Sequence, residues 1–318
     1  MLEPGGVYLN PSINTVALVN RAESPNKKGT RVEAILTMEG RNEDKQGRQQ
    51  ILVGLNNALL QSPRLKSKIT GLELMGDGTG TTFPAPLSWD SIALLCSQNE
   101  VDALVVLESY DSDCIVTHTM GNVQVNNTFG IPIPTVQFNV TQKIIIKAGF
   151  RIYDPQNKII TDQYTFSYWR TFNSQGTGLG EAIAALVDRQ LSINQTSSDA
   201  GYYYEKHISP SWMNERRNLF KKAGGSSFAI GSRMAIVGNW QEAAENWKKT
   251  LQTNSNRKIC GRAAYNLALA AEMKGDLNEA KDWISKSYGI YNNRQAPYYQ
   301  NTLNRRYNEQ LKLNEQMK

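Results

Sequence analysis

The chain has 318 residues, 40% of them hydrophobic and 20% charged, a globular composition that excludes a disordered or fibrous protein. No apolar run reaches the ~18 residues that a membrane-spanning helix needs, and residues 1–15 (MLEPGGVYLNPSINT) show neither the basic start nor the apolar stretch of a signal peptide. Three cysteines (Cys96, Cys114, Cys260) and two histidines (His118, His207) exclude a disulfide scaffold and a zinc cluster, and the formal charge of +6 divides into +10 for residues 206–318 and −4 for residues 1–205.

Taken in chain order, TVALVN (15–20) is a β-branched apolar run suited to a buried strand. Ile51, Leu52, Leu55, Leu59 and Leu60 recur at helical spacing and predict a helix over 46–61, stopped by Ser62-Pro63. SKITGLELM (67–75) reads as a second strand. Ser88 then caps a helix in which Asp90 sits in the first turn and Trp89, Ile92, Ala93 and Cys96 share a face. VDALVVLES (101–109) is the most apolar strand and the expected centre of the sheet. Residues 120–140, with closely spaced prolines and many asparagines, predict a protruding hairpin tip. In KIIIKAGFRIY (143–153) the residues Ile144, Ile146, Ala148, Phe150 and Ile152 point one way. Lys143, Lys147 and Arg151 point the other way, as expected of a half-exposed antiparallel strand. A turn at DPQN (154–157) returns the chain into IITDQYTFSYW.

From about residue 180 the periodicity becomes helical. GNWQEAAENWKKTL (238–251) aligns with GDLNEAKDWISKSY (275–288) at an offset of 37, so that Gly238 matches Gly275, Glu242 matches Glu279 and Ala243 matches Ala280. With Ala264, Ala268 and Ala271 in the preceding segment, these look like tetratricopeptide repeats, whose usual period is about 34 residues. The extra length is assigned to a loop at TNSNRK (253–258). Gly238, Trp240, Ala243, Trp247, Ala264, Ala268, Gly275 and Ala280 are the expected packing residues of the repeats. YYQNTLNRRYNEQLKLNEQ adds one more helix. Tyr202, Tyr203, Tyr204, His207, Pro210 and Trp212 read as an aromatic knot joining the two halves.

The predicted fold is therefore α+β: a mixed α/β, sandwich-like domain over 1–190, a sheet with helices packed on it, then an all-α tetratricopeptide-like domain over 191–318. For chemistry, MGDGTGTTFPAP offers a Gly/Thr loop, Gly76, Asp77, Gly78, Thr79, Gly80 and Thr81, that lacks the lysine of a phosphate-binding P-loop. NSQGTGLGEA (173–182) places glycines before a helix but follows an antiparallel strand, so it fails the context of a dinucleotide site. Glu108, Asp111 and Asp113 gather at the end of the central strand, without the glycine and distant glutamate of a calcium loop. The loop 76–81 with Asp111 and Asp113 is the candidate ligand or partner site. No catalytic residue, metal site or cofactor is expected, and nucleic acid is not an expected partner, because no recognised binding signature is present.

The segments VALVNRA (16–22), GDGTGTTFPAPLSWD (76–90), DALVVLESYDSD (102–113), FRIYDPQNKIITDQ (150–163), DAGYYYEKHISPSW (199–212) and GRAAYNLALAAEMKGDLNEAKDW (261–283) occur in an order that resembles an uncharacterised family of cell-envelope proteins from Bacteroidetes-type bacteria. That resemblance implies an outer-membrane lipoprotein at the periplasmic face, lipidated on a cysteine after a leader. This sequence begins MLEPGGVYLN without such a cysteine, so membrane association is expected only through an anchor outside it. The first half also has a likeness in element order to curli-secretion and TolB amino-terminal domains. The expected function is a non-enzymatic protein-interaction or scaffold module acting through the helical repeats on an unknown protein partner. The alternative is a small-ligand or anion-binding module using the Gly-rich loops.

Overall fold

The computed structural model describes residues 1–23, 43–76, 82–126, 128–130 and 132–318. They form two compact units, Gly5–Ser211 and Met1–Pro4 with Trp212–Lys318.

The first unit is a sheet with helices packed on it. Its strands are β1 (Thr15–Glu23), β2 (Lys66–Met75), β3 (Ala103–Asn126), β4 (Pro132–Asp154) and β5 (Ile159–Gly176). They lie in the order β2-β1-β3-β4-β5. β1 is parallel to β2 and β3, whereas β4 and β5 are antiparallel additions. β3 is fully buried over Ala103–Leu107 because helices cover both faces there. On one face α1 (Glu43–Leu59) lies over β1, β2 and β3, and α4 (Arg189–Ile208) lies over β4 and β5. The short α3 (Leu179–Ala184) also packs on β4 and β5. Val16, Leu18, Val105, Ile146 and Phe150 pack there against Ile51, Leu55, Ile193 and Tyr204. On the other face Ile92 and Cys96 of α2 (Trp89–Asn99) cover Ala17, Val19, Leu104 and Val106. Ser88 caps α2 by accepting from Ser91 N at 3.2 Å, and Asp90 lies in its first turn.

α1 and α4 cross through glycine. A Cβ on Gly54 would run into the Ser198 carbonyl, and one on Gly201 into the Ile51 carbonyl. The backbones therefore touch where neither helix carries a side chain. That contact is why α4 belongs to the sheet unit: the sequence put the division at 190/191, and the compact units divide at 211/212. Tyr204 and His207 go with it. Tyr204 stacks on Phe150 at 4.1 Å and His207 on Tyr164 at 4.0 Å, so both sit on the sheet, not in the expected junction. Tyr203, though partly exposed, also packs on the sheet, its ring 5.2 Å from Phe166 and 5.8 Å from Tyr168, whereas Tyr202 is exposed.

The segment expected as a hairpin tip is mostly ladder. β3 and β4 stay paired out to Asn126 and Pro132, and the described residues beyond the ladder, 128–130, form a turn. The prolines fit because Pro132 and Pro134 stand in the outer part of the arm, where β4 has no β5 partner; the β4–β5 ladder starts at Phe138.

The second unit is helical: α5 (Ser226–Ile236), α6 (Trp240–Thr253), α7 (Arg257–Met273), α8 (Leu277–Gly289) and α9 (Ala296–Gln316), each packed on the next. α7 is buried on nearly all sides. Its Ala263, Leu267 and Ala270 meet Phe228, Ala243 and Trp247, and its Tyr265, Ala268 and Leu269 meet Ala280, Ile284 and Leu303. The inter-repeat loop is shorter than expected, because Asn256 caps α7 by accepting from Lys258 N and Ile259 N, which draws Arg257 and Lys258 into the helix. No described helix is long and apolar enough to cross a membrane.

Two outcomes test this packing. Gly201→Ala is expected to destabilise the protein by about 1–3 kcal/mol, whereas Gly180→Ala, open on all sides, changes stability by less than about 0.5 kcal/mol; equal effects in denaturant melts contradict the helix contact. Glu205 of α4 is 5% exposed, and burial pushes its carboxyl up to about 7 against the opposing charge of Lys206. The folded chain then binds this proton more tightly than the unfolded one. The resulting instability is absent below about pH 4, grows through pH 4–7 and is complete above it. Glu205→Gln should raise the melting temperature by about 5 °C at pH 8 and leave it unchanged at pH 4. A pH-independent shift refutes the assignment.

Candidate functional site

The C-terminal edge of the parallel strands, where open α/β sheets place their sites, holds a buried charge cluster. Glu108 follows the last β1-paired residue of β3 and is 0% exposed. Arg21 of β1 reaches its Oε2 at 3.0 Å, Arg151 of β4 its Oε1 at 3.6 Å, and the Tyr153 hydroxyl donates to Oε1 at 2.6 Å. Burial and the bond to Glu108 push the Tyr153 phenol up to about 12, so it stays a donor. The same guanidinium groups bind the chain above them. Arg21 donates to the Ala85 carbonyl at 2.8 Å and Arg151 to the Pro84 carbonyl at 2.7 Å, and the Phe83 ring lies 4.7 Å from the Arg151 guanidinium carbon.

Arg151 therefore departs from the half-exposed role its alternation suggested. It does point away from the main core, but Phe83–Ala85 covers that end of the opposite face. Gly76 closes the near side of the candidate loop: it is buried against the Arg21 carbonyl. Asp77, Gly78, Thr79, Gly80 and Thr81 lie outside the described residues. Both chain ends leading into that loop are thus fixed at the sheet edge.

The structure separates Glu108 from the aspartates it was grouped with. Asp111 and Asp113 stand farther along β3, opposite Lys147 and Ile145 of β4, and Lys147 bridges them at 3.2 and 2.7 Å. These bonds, chiefly that to Asp113, hold the Lys147 ammonium above its usual range. An ammonium thus fills the place between the two carboxylates that a cation would take. Among the described residues no group of three or more His, Cys, Asp and Glu could hold a metal ion. Burial pushes the Cys96 thiol up to about 11, which keeps it protonated at neutral pH.

In the helical unit the residues picked out by the repeat pattern fall at equivalent places. Gly238 and Gly275 have φ of 83° and 85°, backbone that suits glycine at the end of a helix. The next residues, Asn239 and Asp276, cap α6 and α8 by accepting from Glu242 N at 3.2 Å and Glu279 N at 2.8 Å. Ala243 and Ala280 are fully buried, Trp240 and Leu277 are half-buried, and Trp247 has its buried counterpart in Ile284. Ala264 and Ala268 are fully buried in α7.

The sequence reading missed how the segment before α5 is fixed. Asn266, 0% exposed in an alanine-rich helix, accepts from Phe220 N at 3.1 Å and donates to Phe220 O at 2.8 Å. Arg217 forks onto Glu272 at 2.8–3.2 Å, and the Tyr299 hydroxyl donates to the same carboxylate. The signal was present in the sequence: an asparagine and a glutamate among small apolar residues need internal partners.

The fold is thus a mixed sheet flanked by helices, joined in sequence to a helical region. Residues 13–220 match the family described as Domain of unknown function (DUF8603), and the chain belongs to that family. Residues 229–313 match a second, Domain of unknown function (DUF6340). No curated protein matches the chain. Among solved structures, a neuraminyllactose-binding hemagglutinin homolog from Helicobacter pylori is similar at 10% identity over 64% of this chain and 87% of that one, with a TM-score of 0.26, too low to carry an argument.

Removing one member of the buried cluster leaves the others uncompensated. Glu108→Ala is expected to cost about 3–5 kcal/mol and Tyr153→Phe about 1 kcal/mol in denaturant unfolding. A Glu108 variant as stable as the parent shows that the cluster does not hold the sheet edge.

Proposed function

We propose that the protein is a non-enzymatic interaction or scaffold module of the bacterial cell envelope, and that its helical region binds another protein. The observation that carries this reading is the repetition of turn, cap and packing residues at Gly238–Trp247 and Gly275–Ile284. Such matched hairpins are tetratricopeptide-like, and stacks of them present extended surfaces to peptides and proteins. The charge balance fits an acidic partner: residues 212–318 carry 18 Lys+Arg against 9 Asp+Glu. The sheet unit supplies a second contact surface. The resemblance to envelope lipoproteins supports the further part of this reading, a full-length protein at the periplasmic face tethered to the outer membrane by a lipid.

Fractionation of the native cell, intact mass of the N-terminus and cross-linking test this reading together. The expected result is membrane-associated, lipid-modified protein whose cross-links to one envelope protein map to residues 212–318. Lys249→Glu with Lys274→Glu, both at exposed positions, should reduce that cross-linking several-fold. Unmodified cytosolic protein overturns the location, and cross-links confined to residues 5–211 overturn the role of the helical region.

A further inference from the structure

Beyond a protein-binding role, the helical unit contains a cavity of about 400 Å³ whose charged lining is entirely basic. Arg257 and Lys258 come from the first turn of α7, Arg262 from its second, and Arg294 from the loop between α8 and α9; Phe220 and Tyr291 contribute rings. Among the described residues no carboxylate lies within ion-pair distance of any of the four cations. Elsewhere in this unit Arg217, Arg305 and Arg306 each pair with a glutamate. Unpaired like charges around one cavity repel each other, and a bound anion removes that repulsion.

The cavity is built, not merely lined by mobile surface side chains. Arg262 is fixed by donation to the Lys222 carbonyl at 2.8 Å and by stacking 5.1 Å from the Phe220 ring. The opposite wall is a shaped loop. Asn292 takes a φ of 56°, and Asn293 donates to the Gly261 carbonyl at 3.2 Å and to the Ser287 hydroxyl at 3.1 Å. Ser287 is itself buried and donates to the same Gly261 carbonyl at 2.7 Å. A Cβ on Gly261 would sit 3.1 Å from that of Tyr291, so helix and loop meet closely at the base. Arg294 is thereby held across from the first turn of α7.

We propose that this cavity binds a compact oxyanion carrying at least two negative charges, of the phosphate class, either free or as the terminal group of a larger phosphorylated molecule. Guanidinium groups present paired donors that match phosphate oxygens, and three arginines with one lysine supply more charge than a single carboxylate can neutralise. The volume lies in the range of small-ligand sites. The site is independent of the protein-binding surface, and either can exist without the other.

Isothermal titration of the full chain with inorganic pyrophosphate at low ionic strength tests the proposal, with acetate and phosphatidylglycerol vesicles as comparison probes. One saturable pyrophosphate site is expected, weakening as salt is added, with no saturable binding of acetate. Arg257→Gln with Arg294→Gln, both at exposed positions whose loss leaves the core intact, should weaken binding about tenfold or more with unchanged melting temperature. Lys312→Glu, exposed on α9 away from the cavity, should leave it unchanged. Glucose 6-phosphate serves as the second phosphate probe, and its saturable binding with only weak binding of pyrophosphate would support the terminal-group form. The proposal is overturned by absence of saturation with either phosphate probe, by equal weakening in Lys312→Glu, or by binding to vesicles alone, which reports diffuse surface charge.

Discussion

A carboxylate withdrawn from water stays charged only if nearby donors replace its hydration. Glu108 meets that condition with two guanidinium groups and a phenol drawn from β1 and β4, and this requirement organises the sheet edge. Because the arginines have donors left over, they also bind the Pro84 and Ala85 carbonyls and fix the path of the chain into α2. One buried charge thus couples strand register, loop path and the cover over one face. An apolar residue at 108 could fill the space, but it would leave Arg21 and Arg151 unpaired and the backbone above them without an orienting charge. The geometry therefore ties Glu108 and its two arginines together, so that loss of any one charge leaves the others uncompensated.

The opposite face depends on a different constraint, close approach without side chains. α1 and α4 touch through Gly54 and Gly201, which lets both helices sit low on the sheet and bring Ile51, Leu55, Ile193 and Tyr204 into one apolar layer. Burial of such side chains contributes about 1.5–3 kcal/mol each. The same descent draws Glu205 below the surface, where its charge is unfavourable. Stability and pH sensitivity have one origin here: a helix seated deeply enough to complete the core carries in with it a carboxyl that has no ion pair among the described residues.

Much of this fold was legible because periodicity reports burial on one face at a time. The strand at 103–107, the capped α2, the alternation in β4 and the repeat offset of 37 all follow from local pattern. What local pattern does not carry is which distant segment covers a face. Arg151 shares its alternation with Lys143 and Lys147, yet only Arg151 lies under Phe83–Ala85, so a strand period cannot distinguish the buried cation from the half-buried ones. The aspartates failed for a related reason. They stand farther along β3, where Lys147 across the ladder takes both carboxylates, and a cross-strand partner of that kind has no marker in ESYDSDC. α4 was separable from the later helices only through glycines whose role is a contact 147 residues away in sequence, from Gly54 to Gly201.

The helical unit shows how net charge becomes a specific feature. A surplus of basic residues was plain in the composition, but surplus alone describes a solvated surface. Specificity arises where the backbone limits how far the charges can move apart. Asn256 starts α7 early enough to place Arg257 and Lys258 on its first turn, and the Ser287–Asn293–Gly261 hydrogen bonds set the loop that carries Arg294. Neither device is basic, and neither would be noticed in a charge count. The uncharged residues decide that four cations converge, and the cations decide what kind of ligand can end their repulsion. Among the described residues the arginines of this unit outside the cavity have a glutamate, as Arg217, Arg305 and Arg306 do, or are exposed to solvent, as Arg216 and Arg233 are, so the cavity is where cations converge without a carboxylate.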